Sequence, residues 1–323
     1  MMILCAIVSC FALAEGPRPA VVVVVGAPGQ PDYASAFRDW ADRWETAARR
    51  ASADFLRIGM DGDGDGDANA NDRERLRDAL ASRSTASADP LWLVLIGHGT
   101  FDGREAKFNL RGPDVTDSDL EGWLATVKRP IVLLNCSSSS GPFLNKLSGP
   151  DRVIVTATRS GDEQNFARCG QYLAEAIADP SADLDKDGQT SLLEAYLTAV
   201  SRVEEFYKTR ARLATEHALL DDNGDKLGTP ADFFRGVRAV KRPRDGAALD
   251  GVRAHQIHLI PSDRERRIPT EIRQKRDAIE RAVATLREQK ATLAEDEYYE
   301  RLDALMLDLA RLYRDLGEAN ETR

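Results

Sequence analysis

Leu91-Trp92-Leu93-Val94-Leu95-Ile96 runs without a polar break into Gly97-His98-Gly99, and Ile131-Val132-Leu133-Leu134-Asn135 runs the same way into Cys136. An apolar run that does not alternate suits a strand covered on both faces, the situation of parallel sheets in α/β domains. Ligands bind beyond the carboxyl ends of such strands. Both runs therefore deliver one reactive side chain, His98 and Cys136, to the same edge of a sheet.

Working outward, Ala20 to Val25, Phe55 to Ile58 and Val153 to Ala157 read as further strands. The turn Gly26-Ala27-Pro28-Gly29 lacks the Gly-Lys-Ser/Thr and the third glycine of nucleotide-binding loops, so it is read as a tight turn. Tyr33, Phe37, Trp40, Trp44 and Ala47 fall at helical spacing and form a stripe that covers the sheet. Gly103 and Gly112 bracket a hairpin, and Thr116 with Asp119 marks a helix start ahead of Leu120, Trp123 and Leu124. Strands alternating with helices predict an α/β fold over 20–178, a doubly wound, mostly parallel sheet flanked by helices.

The 323 residues carry a formal net charge of -9 with a pI near 5.2, which argues against general affinity for nucleic acid or anionic membranes. Acidic residues in short loops point instead to cations. Asp183-Leu184-Asp185-Lys186-Asp187-Gly188-Gln189-Thr190-Ser191-Leu192-Leu193-Glu194 matches the twelve-residue EF-hand loop, with carboxylates at positions 1, 3 and 5, Gly at 6, a hydroxyl at 9 and Glu at 12. Asp183, Asp185, Asp187, Gln189, Ser191 and Glu194 are the expected Ca2+ ligands. Thr190 at position 8, where paired EF-hands carry an aliphatic residue, predicts a solitary loop within an EF-hand-like helical extension over 179–260. The tract 61–67, alternating Asp and Gly, reads as a solvated loop or a second cation site, and 221–225 as a degenerate loop with Lys226 in the glycine's place. His255 and His258 lack nearby co-ligands in the sequence and are not read as a metal site.

Residues 1–14 are apolar and end in Ala12-Leu13-Ala14, a small-x-small cleavage pattern that predicts a signal peptide and an exported protein, although the basic n-region is missing and a buried strand is the other reading. Ile7-Val8-Ser9-Cys10 also resembles a bacterial lipoprotein box, which would lipidate Cys10 and tether the chain to a membrane. Cleavage leaves Cys136 and Cys169, too few for a disulfide framework. Over 268–318 the apolar residues return at heptad spacing, Ile272, Ile279, Leu286 and Leu293, then Leu302, Leu305, Leu309 and Leu312. With Thr292 and Glu295 as a capping signature this predicts a C-terminal helical hairpin, either folded back on the domain or available for self-association.

A working cysteine needs a lowered pKa and a partner for its proton. Cys136 and His98 are the candidates, with the N–H groups of Gly99 and Cys136 as a candidate oxyanion hole. A lone Cys and a lone His at strand ends are also compatible with plain packing.

The pattern of apolar strand, His-Gly, apolar strand and Cys resembles the caspase-like fold of cysteine peptidases over about 20–177, and most nearly the legumain type. The residues that carry the resemblance are Val22 to Gly26 before a Tyr33-bearing loop, Gly97-His98-Gly99, the turn at Asn109, Leu110 and Asp114, Leu134-Asn135-Cys136-Ser137, and Thr156 to Arg159 leading to Glu163. The resemblance implies a protein or peptide substrate and a catalytic dyad of His98 and Cys136 in a peptidase or transpeptidase. It also implies that the 160–163 loop borders the substrate pocket. Ser160, Asp162, Glu163 and Asp114 are the candidate pocket residues, and their charge suggests a basic substrate side chain. Ala34 stands where legumains carry Arg, Gly97 where they carry Asp, and a serine run follows Cys136, so asparaginyl specificity is not implied. The alternative reading is a catalytically inactive scaffold that binds calcium and a protein partner.

Overall fold

The computed structural model describes residues 18–60, 71–243 and 248–321. The candidate signal segment with Cys10, and the 61–67 Asp/Gly tract, lie outside the described residues.

In chain order the elements are β1 (Ala20–Val25), α1 (Pro31–Arg50), β2 (Asp54–Ile58), α2 (Asp72–Ser82), β3 (Leu91–Ile96), β4 (Gly99–Phe101), β5 (Ala106–Phe108), β6 (Val115–Thr116), α3 (Asp117–Leu124), β7 (Ile131–Asn135), α4 (Gly141–Leu147) and β8 (Arg152–Thr156). There follow α5 (Cys169–Ala176), α6 (Leu192–Thr209), β9 (Leu219–Asp221), β10 (Thr229–Pro230), β11 (Phe234–Arg235), β12 (Arg238–Ala239), α7 (Val252–Gln256), α8 (Asp263–Arg267), α9 (Thr270–Glu288) and α10 (Glu295–Glu321). A seven-stranded sheet in the order β10-β9-β8-β7-β3-β1-β2 forms the centre. It is parallel from β2 to β8, with Leu95 beside Asn135 in the β3–β7 register, and antiparallel where β9 and β10 extend it.

The unbroken apolar runs have the expected cause. Val21, Val23 and Val25 pack with Phe37, Trp40 and Trp44 of α1, while Ala20, Val22 and Val24 pack with Leu76, Leu80 and Leu120 of α2 and α3 on the opposite face. Pro31 at the first turn, Asp32 beside it and Arg49 and Arg50 in the last turn of α1 suit the helix ends and their dipole. The Thr116–Asp119 capping box starts α3 as the spacing predicts. Strand order reverses across β1 and β3, so the carboxyl ends of these strands open the crevice where α/β sheets bind ligands.

The structure differs from the sequence reading in three places. The hairpin expected over 101–113 is part of a three-stranded antiparallel meander, β4-β5-β6, over 99–116. Strands β9 and β10 lie within 179–260 yet continue the main sheet, so this segment is built into the α/β core and is no appended helical unit. The hydroxyl of Thr292 donates back to the Gln289 carbonyl, 2.8 Å away, so it closes the turn after α9. The hairpin itself forms, with Val283, Leu286 and Tyr298 buried. No described helix is long and apolar enough to cross a membrane.

Candidate active site and cation loop

His98 follows β3 at the reversal of strand order, and its ring is boxed by Tyr33, Phe37 and Phe166, with centroids at 5.0, 5.3 and 6.0 Å. The first two come from the α1 stripe, so the aromatic wall that packs the sheet also shapes the site. His98 Nε2 lies 3.2 Å from the Pro28 carbonyl. A carbonyl only accepts, so Nε2 carries the proton and Nδ1 is left as the basic nitrogen. Burial pulls the imidazole pKa down, partly offset by that hydrogen bond. The ring is thus neutral at neutral pH and oriented by a third group, the arrangement of a general base.

Cys136 continues β7 on the neighbouring strand, and its side chain joins the same sheet face as Ile96, Trp40 and Phe37. Its thiol is sealed: among the described residues the hydrogen-bond partner of Sγ is the Leu134 carbonyl at 3.9 Å, and a Cβ on Gly170 would fall 2.6 Å from Cys136 Cβ and 3.0 Å from the Trp40 ring. Burial, and secondarily the Glu216 carboxylate, push its pKa up to about 12. No hydrogen bond joins His98 to Cys136 in this conformation. The structure therefore sets the two residues at adjacent strand ends on one face with the thiol closed off.

Both proposed oxyanion donors are engaged in this conformation. Cys136 N–H completes the β-ladder to Leu95 O at 2.9 Å, and Gly99 N–H donates to Ser138 Oγ at 3.1 Å, which returns a bond to Gly99 O. Gly99 has to be glycine here, because a Cβ would sit 2.3 Å from Ser138 O. The serine turn is tense: Ser139 adopts a left-handed φ of 52°, its buried Oγ has no partner, and neither has Asn135 Nδ2. Unusual backbone and unpaired buried polar atoms gather at sites that change state.

The expected substrate acids are largely occupied. Glu163 accepts from Arg159 N and pairs with His217, whose Nδ1 is 2.6 Å away. Asp114 accepts Leu110 N within its turn, and Ser160 Oγ accepts Asp162 N. Only Asp162 is exposed and unpaired, so the structure gives little support to a basic-residue pocket built from these acids. Glu216, absent from the sequence reading, accepts from Arg168 N, Cys169 N and the Tyr207 hydroxyl, which ties the exit of α6 to the start of α5 beside Cys136.

In the 183–194 loop, Asp183 accepts from Asp187 N and Gly188 N, Asp185 from Asp187 N, and Asp187 from Gln189 N, so the chain wraps around its own carboxylates. Gly188 has a φ of 93°, the left-handed turn that only glycine makes without strain. Carboxylate oxygens of Asp183, Asp185 and Asp187 lie within 4.8 Å of one another. These residues fit a hard cation. Glu194 is drawn inward as a capping box: Oε1 accepts Leu184 N and Asp185 N, Oε2 accepts Ser191 N and Oγ. Ser191 is therefore turned to Glu194, and the Gln189 side chain both donates to Asp187 and accepts from Ser262 N.

No protein-family model and no curated protein matches the sequence. Among solved structures the chain is similar to a crystal structure of the Drosophila initiator caspase Dronc, at 15% identity and a TM-score of 0.41, over 65% of this chain and 81% of that one.

Proposed function

We propose that the chain is a cysteine endopeptidase or transpeptidase of caspase-like type, captured with its nucleophile closed. The observation that carries the reading is the pairing of an oriented, neutral His98, held through Nε2 by Pro28 O, with Cys136 on the adjacent strand end of the same face. In the open state His98 Nδ1 takes the Cys136 proton, sulfur attacks the peptide carbonyl, and the imidazolium returns the proton to the departing amine. Loosening of the strained 136–140 turn frees Gly99 N–H from Ser138, and movement of Cys136 away from Gly170 and Trp40 exposes the thiol. Mass-spectrometric mapping of cleavages in a peptide library tests this: wild type cleaves and His98→Ala loses about 10²–10⁴-fold in rate. Wild-type protein that is folded yet cleaves nothing, with and without calcium, counts against it. It would favour the second reading, an inactive scaffold that binds a partner, for which the sealed thiol speaks.

The 183–194 loop is read as a Ca2+ site. Its ion would tie Asp183, Asp185, Asp187 and Glu194 together at the start of α6, the helix whose exit carries Glu216 to the Cys136 neighbourhood. Calorimetry decides: Asp183→Ala abolishes calcium uptake, and equal uptake by mutant and wild type rejects the assignment. Export, through the apolar 1–14 segment, belongs to the same proposal.

A further inference from the structure

We propose that the cation loop carries a second, mutually exclusive binding mode for a borderline transition metal such as Zn2+, in which His255 joins Asp185 and Glu194. The proposal builds on the cation-loop reading through the shared Asp185 and Glu194. His255 Nε2 lies 3.0 Å from Asp185 Oδ2, and one ligand atom each of His255, Asp185 and Glu194 falls within a 4.8 Å cluster. A tetrahedral zinc with ligands at about 2.0–2.2 Å separates its ligand atoms by about 3.4 Å, so the imidazole and carboxylate already stand at nearly the spacing the ion requires. One nitrogen with carboxylate oxygens is a donor set that zinc accepts and calcium does not seek.

The backbone that carries His255 is held in place from both sides. Asp222 Oδ2 accepts Gly251 N at 3.0 Å and Ala254 N at 2.8 Å, which fixes the start of α7. Beyond it, Leu192 N donates to Ile257 O at 2.8 Å and Ser262 N to Gln189 Oε1 at 3.0 Å, which dock the residues after His255 onto the loop itself. Side-chain exposures of 39% for His255 and 27% for Asp185 leave room for water as a further ligand. The oxygen triad of Asp183, Asp185 and Asp187 and the mixed triad share Asp185, and position 12 of the calcium-loop pattern assigns Glu194 to the calcium reading as well. One ion therefore excludes the other. Zinc entry replaces the His255–Asp185 hydrogen bond and one of the Glu194 contacts to backbone N–H groups with metal–ligand bonds.

The test is titration of the full-length chain with ZnCl2, with CaCl2 and with each in the presence of the other, by calorimetry at about pH 7.5, above the ordinary imidazole pKa. Co2+ absorption in the visible range reports nitrogen-containing tetrahedral coordination independently of heat. Wild type binds one zinc, and zinc weakens apparent calcium affinity. His255→Ala loses about tenfold or more in zinc affinity and the cobalt band, while its calcium affinity stays within about twofold. His255→Gln, which retains an N–H donor for Asp185, serves as the second variant if alanine perturbs folding. Zinc binding unchanged by both substitutions, or zinc and calcium binding independently, overturns the proposal. Calcium uptake without zinc uptake overturns it while leaving the calcium loop intact; zinc uptake through His255 without calcium uptake supports the His255 ligand set but overturns the competition between two ions, together with the calcium assignment.

Discussion

Stability against urea falls as the pH is raised from about 4 to about 8, and Asp250→Asn reduces that fall. Asp250 is buried beside Asp222, with Thr229 Oγ1 donating to its Oδ2 at 2.6 Å and Asp222 N to its Oδ1 at 2.8 Å. Burial first, and the neighbouring Asp222 carboxylate second, push its pKa from 3.8 up to about 8. Asp222 is raised in the same direction, chiefly by burial. A folded-state pKa above the unfolded one means that the fold favours the protonated carboxyl. The stabilisation is complete below the unfolded value and is lost as the pH rises through the folded value. The loss amounts to about several kcal/mol at most, because the two carboxyls titrate as a pair. In the Asp250→Asn variant the side-chain amide keeps an acceptor for the Asp222 and Asn223 N–H groups and turns its NH2 to the Thr229 hydroxyl, so folding survives. Parallel pH curves for wild type and variant would place the pH dependence elsewhere.

The thiol of Cys136 reacts with iodoacetamide about a thousandfold more slowly in the folded chain than in the urea-unfolded chain near neutral pH. The reason is the rise of its pKa from 9.0 to about 12, which cuts the thiolate fraction by about 10³, with steric sealing by Gly170 and Trp40 adding to it. Site-resolved mass spectrometry over time measures the ratio. Equal rates would mean that the site is open at rest and that the closed conformation is not the populated one.

How much of this was legible in the sequence divides along physical lines. The sheet and its strand ends were, because a strand covered on both faces must be apolar throughout, and Leu91 to Ile96 and Ile131 to Leu134 are. The α3 start and the shape of the 183–194 loop were also legible, since caps and Asp/Gly turns are local chemistry. The antiparallel extension was not: β9 and β10 are short, and β9 ends in acids read as a loop. The engagement of the oxyanion candidates was not legible, because whether Gly99 N–H and Cys136 N–H are free depends on Ser138 and Leu95, partners brought together only by the fold. The same holds for His255, whose co-ligand Asp185 lies 70 residues away, and for Glu216, which has no motif around it. The aromatic stripe of α1 was read as core, which it is, but its end at Tyr33 and Phe37 also forms the box around His98.

The central claim is that His98 and Cys136 form one catalytic unit that opens to substrate. The most direct measurement incubates the intact protein with a peptidyl acyloxymethyl ketone library and locates the adduct by mass spectrometry. Labelling on Cys136 in wild type, lost in Cys136→Ala and strongly slowed in His98→Ala, is the predicted result. Adducts that appear equally in Cys136→Ala, or none on Cys136 from any probe, would contradict it.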